Sequence, residues 1–362
     1  MLGLYIHIPF CRQKCFYCDF FSIKYDENQI IKYISALLNQ AKQFSGAKID
    51  TIYIGGGTPS VLFCGQIEKL IGSLHKIFDL SNLKEWTFEL NPESADDEKL
   101  KFLKRSGVNR LSIGLQSCND DDLRFLGRVH NFKRFVEVFE SIGNVGFKNT
   151  NIDLIYGLPA RSIKDWQKIL GRALQFDCSH LSLYPLSIEK ETLFYQKGIS
   201  VDENMQNDLY QNACKILSQN NFIHYEISNW AKDGKESLHN SNYWRNYEYI
   251  GLGASAAGYF KNKRYKNVEN IERYISSLCH CGQESSIEQE EYIDDELRKI
   301  ESIMLGLRLL NEGTAIENFD NGREKILNNL LEQKMLYRDN DRIKLSKDFV
   351  FLSNSIISQF MK

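Results

Sequence analysis

Hydrophobic positions in the first half of the chain follow two alternating rhythms. Short runs, Leu4-Tyr-Ile-His-Ile8, Ile49-Asp-Thr-Ile-Tyr-Ile54, Trp86-Thr-Phe-Glu-Leu90, Arg110-Leu-Ser-Ile-Gly-Leu115, Asn151-Ile-Asp-Leu-Ile155 and His180-Leu-Ser-Leu-Tyr184, read as strands. Between them apolar residues recur at three- and four-residue steps. Ile30, Tyr33, Ile34, Leu37, Leu38 and Ala41 mark a helix within 27–44, and Ile67, Leu70, Ile71, Leu74 and Phe78 mark the next. Six strand–helix units in succession predict an α/β fold, a parallel sheet with helices outside, whose functional groups gather at the carboxyl ends of the strands.

Near Ile250 the pattern changes, and Gly251-Leu-Gly-Ala-Ser-Ala-Ala-Gly258 predicts a close-packed turn of small residues. From Asp294 a helix carrying Leu297, Ile300, Ile303, Met304 and Leu307 is expected, then a second over 326–331. A hairpin from 335–337 to 343–345 follows, turning around Asp339-Asn-Asp341. Helices followed by a hairpin predict a small winged-helix-like α+β domain. The expected organisation is a core over 1–235, a connecting segment over 236–293 and a C-terminal interaction or cap domain over 294–362.

Composition narrows the function classes. A chain of 362 residues exceeds one typical domain and can bury a large core. Its net charge of −2 offers no general attraction for phosphate backbones, and the C-terminal domain nearly balances acidic and basic residues, so no nucleic-acid partner is expected. Nine cysteines, an odd number mostly scattered along the chain, do not make a disulfide framework and fit a reducing cytoplasm. Neither a signal peptide nor a membrane span is expected.

The chemistry concentrates in Cys11-Arg-Gln-Lys-Cys15-Phe-Tyr-Cys18, directly behind the first strand. Three thiols this close can converge on one metal centre. An iron–sulfur cube normally takes four cysteines, so three leave one iron open to an outside ligand. A zinc knot is the alternative, and it needs a fourth ligand such as His7. Other polar residues fall at later strand ends: Gly55-Gly-Gly-Thr-Pro59 after strand two, Glu89 and Asn91 at strand three, Gln116 after strand four, Asp153 on strand five and Tyr184-Pro185 at strand six. The glycine loop lets a ligand approach the backbone closely, and Glu89 and Asp153 could accept hydrogen bonds from an amino group or a ribose hydroxyl. Cys279-His-Cys281 is read as a surface loop, because adjacent ligands on extended chain alternate faces.

The CxxxCxxC spacing, with Tyr17 before the last cysteine, resembles the signature of the radical S-adenosylmethionine (SAM) superfamily. Further resemblance is carried by Tyr5-Ile-His-Ile-Pro-Phe-Cys11, Gly55-Gly-Gly-Thr-Pro-Ser60, Gly114-Leu-Gln-Ser117, Asn151-Ile-Asp-Leu-Ile-Tyr-Gly-Leu-Pro159 and Leu183-Tyr-Pro-Leu186, and points to the HemN/HemW group. The resemblance implies a partial (β/α)6 TIM-type barrel with a HemN-type C-terminal domain. It implies a [4Fe-4S] cluster on Cys11, Cys15 and Cys18, with SAM chelating the open iron and one electron cleaving it to a 5′-deoxyadenosyl radical. Tyr5, Tyr17, Gly56, Gly57, Thr58, Glu89, Gln116, Arg128 and Asp153 are the implied cofactor contacts.

The group has two branches, an oxygen-independent coproporphyrinogen III dehydrogenase and a haem chaperone. The dehydrogenase carries a further cysteine two residues past the third, where this chain has Phe20, and a long arm before the motif, where this chain has ten residues. His239-Asn-Ser-Asn-Tyr-Trp244 matches the HNxxYW element of the chaperone branch. The resemblance therefore implies haem as a third cofactor with His239 as its axial ligand, respiratory haem proteins as recipients and an electron donor for the cluster. It leaves open a transient membrane association and a homodimer.

Overall fold

The computed structural model describes residues 1–279, 285–320 and 322–361. Six parallel strands, β1 (Gly3–Ile8), β2 (Thr51–Gly56), β3 (Glu85–Leu90), β4 (Arg110–Gln116), β5 (Thr150–Tyr156) and β6 (His180–Pro185), lie side by side in chain order. A helix follows each of them. The first, Glu27–Lys42, starts where the Asp26 side chain accepts the Gln29 amide at 2.8 Å, and it buries Ile30, Tyr33, Ile34, Leu37 and Ala41 against the sheet. The six-unit partial barrel expected from the sequence is present.

Parallel strands covered on both faces usually read as continuous apolar runs, but these alternate. On β3, Trp86, Phe88 and Leu90 join the hydrophobic core under the helices, while Glu85, Thr87 and Glu89 face the other way. Successive side chains point to opposite faces, so the concave side of the sheet is lined by Tyr5, Thr51, Tyr53, Arg110, Ser112, Asn151, Asp153 and His180. The barrel lumen is polar along its whole depth.

The segment 236–293, expected as a connector, is part of the sheet. Its strand Tyr249–Leu252 pairs in parallel with β1, and Ala257–Phe260, Lys263–Asn267 and Ile287–Tyr292 extend the same sheet antiparallel, giving twelve strands with Ile223–Glu226 and Asn229–Ala231 at the far edge. The small residues at 251–258 therefore belong to two strands and the bend between them. They are small because the strands fold back closely: a Cβ on Gly251 would sit 1.8 Å from the Ala257 carbonyl oxygen.

The C-terminal part has the expected elements, helices Asp295–Gly306 and Glu324–Glu332 and the hairpin Leu336–Asp339/Arg342–Leu345, with Thr314–Ala315 as a third strand. Its Ile303, Leu307, Leu330, Ile343 and Phe360 share one continuous apolar core with the barrel. Cys279 ends the helix Ile271–Cys279 and is exposed, while His280 and Cys281 lie outside the described residues. Among the described residues no helix is long and apolar enough to cross a membrane.

Gly251→Ala should force Tyr249–Leu252 and Ala257–Phe260 apart, because backbone cannot yield as a flexible side chain does. The expected loss is about 3 kcal/mol, the upper end of ordinary overpacking, read as a lower denaturant midpoint. Gly65→Ala, in the first turn of the helix Cys64–Ile77 where a Cβ meets nothing within 4 Å, should raise the midpoint slightly, a gain of up to about 1 kcal/mol.

Candidate functional site

The cysteine loop is held at both ends and in the middle. Phe10–Cys11 pairs with Ile23–Lys24, the Phe16 amide donates to the Leu126 carbonyl at 3.1 Å, and the Phe194 amide donates to the Phe16 carbonyl at 3.0 Å. A loop tied this way presents Cys11, Cys15 and Cys18 to one cavity of about 540 Å³ at the carboxyl ends of the strands. Tyr17, Gly56, Gly57, Thr58, Glu89, Gln116, Arg128 and Asp153 line it too, so most of the residues singled out from sequence converge. Tyr5 and His239 do not reach that lining.

The thiols are distributed rather than focused. Among the described residues no three His, Cys, Asp or Glu side chains gather tightly enough for a single ion, whereas a four-iron cube asks for one thiolate at each of three separate corners. His7 cannot complete a zinc site as it stands, because its Nδ1 meets the Tyr5 hydroxyl at 2.8 Å and its Nε2 the Phe21 carbonyl at 3.0 Å. Burial pushes the Cys11 thiol up and the Cys18 thiol up to about 11; a bound metal reverses that preference by taking the thiolate directly. A three-thiol donor set beside a cavity sized for a small organic ligand fits a cluster with its cofactor.

Glycine is required at the end of β2 and just beyond it by close protein neighbours. A Cβ on Gly55 would sit 2.7 Å from the Tyr53 ring and 2.9 Å from the Glu89 carboxyl, and one on Gly57 would sit 3.0 Å from Cys11 Sγ. The loop is buttressed from outside by buried Lys99, whose ammonium donates to the carbonyls of Ser60 and Ser94. At the end of β4 a register shift places Gln116 at φ 72°, a left-handed conformation unusual for a side-chain-bearing residue, and turns it into the cavity.

Arg128 is the central cation of the mouth. Its Nη2 donates to Asn91 Oδ1 at 2.6 Å and the Gly114 carbonyl at 2.9 Å, and its Nη1 donates to Cys15 Sγ at 3.4 Å, while Nε is buried with no partner. Burial alone would weaken the charge, but the facing Tyr17, Cys15 and Glu93 hold the guanidinium protonated. Asn91 in turn donates to Thr58 Oγ1 at 3.0 Å, tying strand three to the glycine loop.

Two carboxyls face the cavity from below. Burial pushes Glu89 up to about 7, against the pull of Tyr53, whose hydroxyl donates to Oε1 at 2.6 Å; the Gly56 amide donates to Oε2 at 3.3 Å. Burial also raises Asp153, which accepts from Asn151 at 2.8 Å and Ser112 at 3.2 Å. Tyr53 and Lys99 were missed in the sequence. Tyr53 had a signal, since it stands two residues from Thr51 and from Gly55 on the inward rhythm of β2.

His239 lies at the opposite, amino-terminal end of the barrel, in the short helix Leu238–Trp244, and is 1% exposed. Its Nδ1 faces Thr51 Oγ1 at 2.9 Å and its Nε2 faces the Tyr243 hydroxyl at 2.7 Å. Both ring nitrogens are therefore occupied, and the expected presentation of an axial imidazole to an outside iron is not met. Burial, with the Arg110 charge adding to it, pulls its pKa down to about 3 and keeps the ring neutral. Trp244 lies elsewhere, lining a second cavity of about 500 Å³ between this helix and the C-terminal domain.

Barrel and mouth together are those of a radical SAM protein, and the Radical SAM superfamily pattern matches residues 5–173. The solved coproporphyrinogen III oxidase HemN of Escherichia coli superposes with a TM-score of 0.86 over 99% of this chain and 89% of its own, at 21% identity, a likeness of fold. Among sequence relatives, the heme chaperone HemW of Lactococcus lactis is 37% identical across 99% of this chain and 96% of its own. That of Bacillus subtilis is 34% identical across 100% and 99%. The chain belongs to this HemW family within the radical SAM superfamily.

Arg128→Lys should test the mouth network before any cofactor is added. A lysine keeps the charge but cannot serve Asn91, the Gly114 carbonyl and Cys15 at once. The cofactor-free protein should lose about 2 kcal/mol, the worth of a charged hydrogen bond, read as a lower urea midpoint.

Proposed function

We propose that this chain is a cytoplasmic haem chaperone, binding haem and handing it to respiratory haem proteins, with a [4Fe-4S] cluster and SAM held in its barrel. The observation that carries the reading is the pair of relatives bearing that name that match this chain from end to end. Phe20 supports it from the site: it is 64% exposed at the cavity rim, where the dehydrogenase branch carries its further cysteine. Oxidative decarboxylation of coproporphyrinogen III is the reading this substitution disfavours.

In the working protein Cys11, Cys15 and Cys18 would hold the cluster, which when bound would supply an electron and an open iron. The chain's own residues do the rest of the binding. Glu89, and the backbone from Gly56 to Thr58, would receive the amino group of SAM, and Gln116 and Asp153, which line the same cavity, would meet its ribose. Arg128 stabilises the charge on Cys15 and is anchored by Asn91. The electron would have to come from a donor outside the chain.

Anaerobically reconstituted protein should carry four irons and four sulfides per chain, a number set by the cube itself. Cys15→Ser should lose them, and Cys64→Ser, at the start of the second helix and away from the mouth, should keep them. The same protein should bind added haem and yield no protoporphyrinogen IX from coproporphyrinogen III, by product chromatography against an enzyme-free control. Product above that control would make the chain a dehydrogenase.

A further inference from the structure

The helix Leu238–Trp244 closes the floor of the barrel. Its amino-terminal end is held by buried Glu85, which accepts the amides of Leu238 at 3.0 Å and His239 at 2.9 Å and the Ser237 hydroxyl at 3.3 Å. From there His239 reaches up between β1 and β2. The fit is close: a Cβ on Gly3 would sit 3.2 Å from its Cε1. Asn242 donates to Thr51 Oγ1 at 3.3 Å, and the His239 ring is bonded at both nitrogens, Nδ1 to the same Thr51 hydroxyl at 2.9 Å and Nε2 to the Tyr243 hydroxyl at 2.7 Å. Contacts at both nitrogens fix the plane of the ring.

The fixed imidazole lies against Tyr53, ring centroids 5.4 Å apart and planes inclined by 31°. Tyr53 is also flanked by Tyr5 at 6.3 Å and has its Cε1 against Gly55. A ring confined on these sides can aim its hydroxyl only upward, where it meets Glu89. Floor and mouth are thus joined by side chains in contact, from Thr51 through His239 and Tyr53 to the carboxylate of the cofactor cavity.

We propose that His239 and Tyr53 are positioning residues of the cofactor site: the HNxxYW element closes the barrel floor and, through Tyr53, holds the Glu89 carboxylate aimed at the amino group of SAM. This rests on the reading that Glu89 receives that amino group. The role differs in kind from iron ligation, since it uses both ring nitrogens inward and needs the imidazole neutral. Glu89 is faced by Tyr5 from β1, Tyr53 and the Gly56 amide from β2, Arg110 from β4, Asp153 from β5, Tyr184 from β6 and, below, Tyr243. Among these only Tyr53 makes a short hydroxyl bond to it. Removing that donor therefore favours the protonated form.

The test measures SAM dissociation constants of anaerobically reconstituted protein between pH 6 and 9, with iron content determined on the same samples. In the unaltered protein affinity should fall as pH drops through about 7, where Glu89 takes up its proton. Tyr53→Phe, nearly isosteric, should keep its iron, weaken SAM about tenfold at pH 7 and move the falling limb to higher pH. His239→Gln, whose amide can still bridge Thr51 and Tyr243, should stay near the unaltered profile, while His239→Ala should shift in the same direction as Tyr53→Phe. Its haem absorption band should not move. An unchanged affinity and pH profile in Tyr53→Phe overturns the proposal. A His239→Ala protein that matches the unaltered profile, or whose haem band shifts, removes His239 from it. If His239→Ala does not fold, a His239→Gln profile displaced as far as that of Tyr53→Phe overturns the bridging role. Unchanged SAM affinity in Glu89→Gln at every pH overturns the underlying reading instead, whatever the other variants do.

Discussion

A sheet whose inner face is polar along every strand imposes a strict condition: each buried donor and acceptor must find a partner within the lumen or in a ligand. Arg110 shows how demanding this is. Its guanidinium is 1% exposed, has one long bond to Thr87 at 3.5 Å, and carries an Nε with no partner. A buried charge left alone costs several kcal/mol, and here the neighbouring Glu89 and Asp153 supply the opposing field. Deeper in the lumen Asn151 links Ser112 and Asp153 to His180, whose Nε2 meets the Tyr225 hydroxyl at 2.8 Å. The lumen is a connected network, with unpartnered atoms both deep in it, at Arg110 Nε, and at the mouth, at Arg128 Nε.

Because all six strands run the same way, one end of that network collects every strand-end loop. The cysteine loop, the glycine loop, Asn91, Gln116 and Arg128 meet there without any of them being near another in sequence. The opposite end has to be sealed, and the helix Leu238–Trp244 does it. Its position is fixed from outside by the C-terminal domain, where Arg245 makes a two-point pair with Glu312 at 2.8 and 2.5 Å and the Leu310 amide donates to the Tyr225 carbonyl at 2.9 Å. The winged-helix-like domain is thus continuous with the barrel floor, and a change in its docking would be felt first by the residues that plug the lumen.

Much of this was legible in the chain itself. Six strand runs with their helices, and three cysteines at one strand end, carry their information locally in period and spacing. Glu89 and Asp153 were found because they fall on or near the ends of strands whose carboxyl ends gather functional groups. What could not be read were the relations that depend on which strands become neighbours. The strand Tyr249–Leu252 joins β1 across most of the chain's length, so a stretch of small residues looked like a turn between domains. The surroundings of His239 were out of reach for the same reason. A histidine beside tyrosine and tryptophan resembles an iron ligand, and the Nδ1 partner that turns the ring inward, Thr51, is some 190 residues away in sequence. Tyr53 sat in plain sight on β2 but looked like an ordinary strand aromatic until Glu89 stood opposite its hydroxyl.

The central claim is that three thiolates at the barrel mouth leave one iron open to a ligand held by the same cavity. Electron paramagnetic resonance of the reduced, reconstituted protein addresses it directly. Adding SAM should change the g-values and line shape of the reduced cluster, as a ligand entering at an open iron would, and the change should saturate at one SAM per chain. A spectrum identical with and without SAM, on protein shown by dialysis to bind it, would mean a closed cluster and would contradict the account.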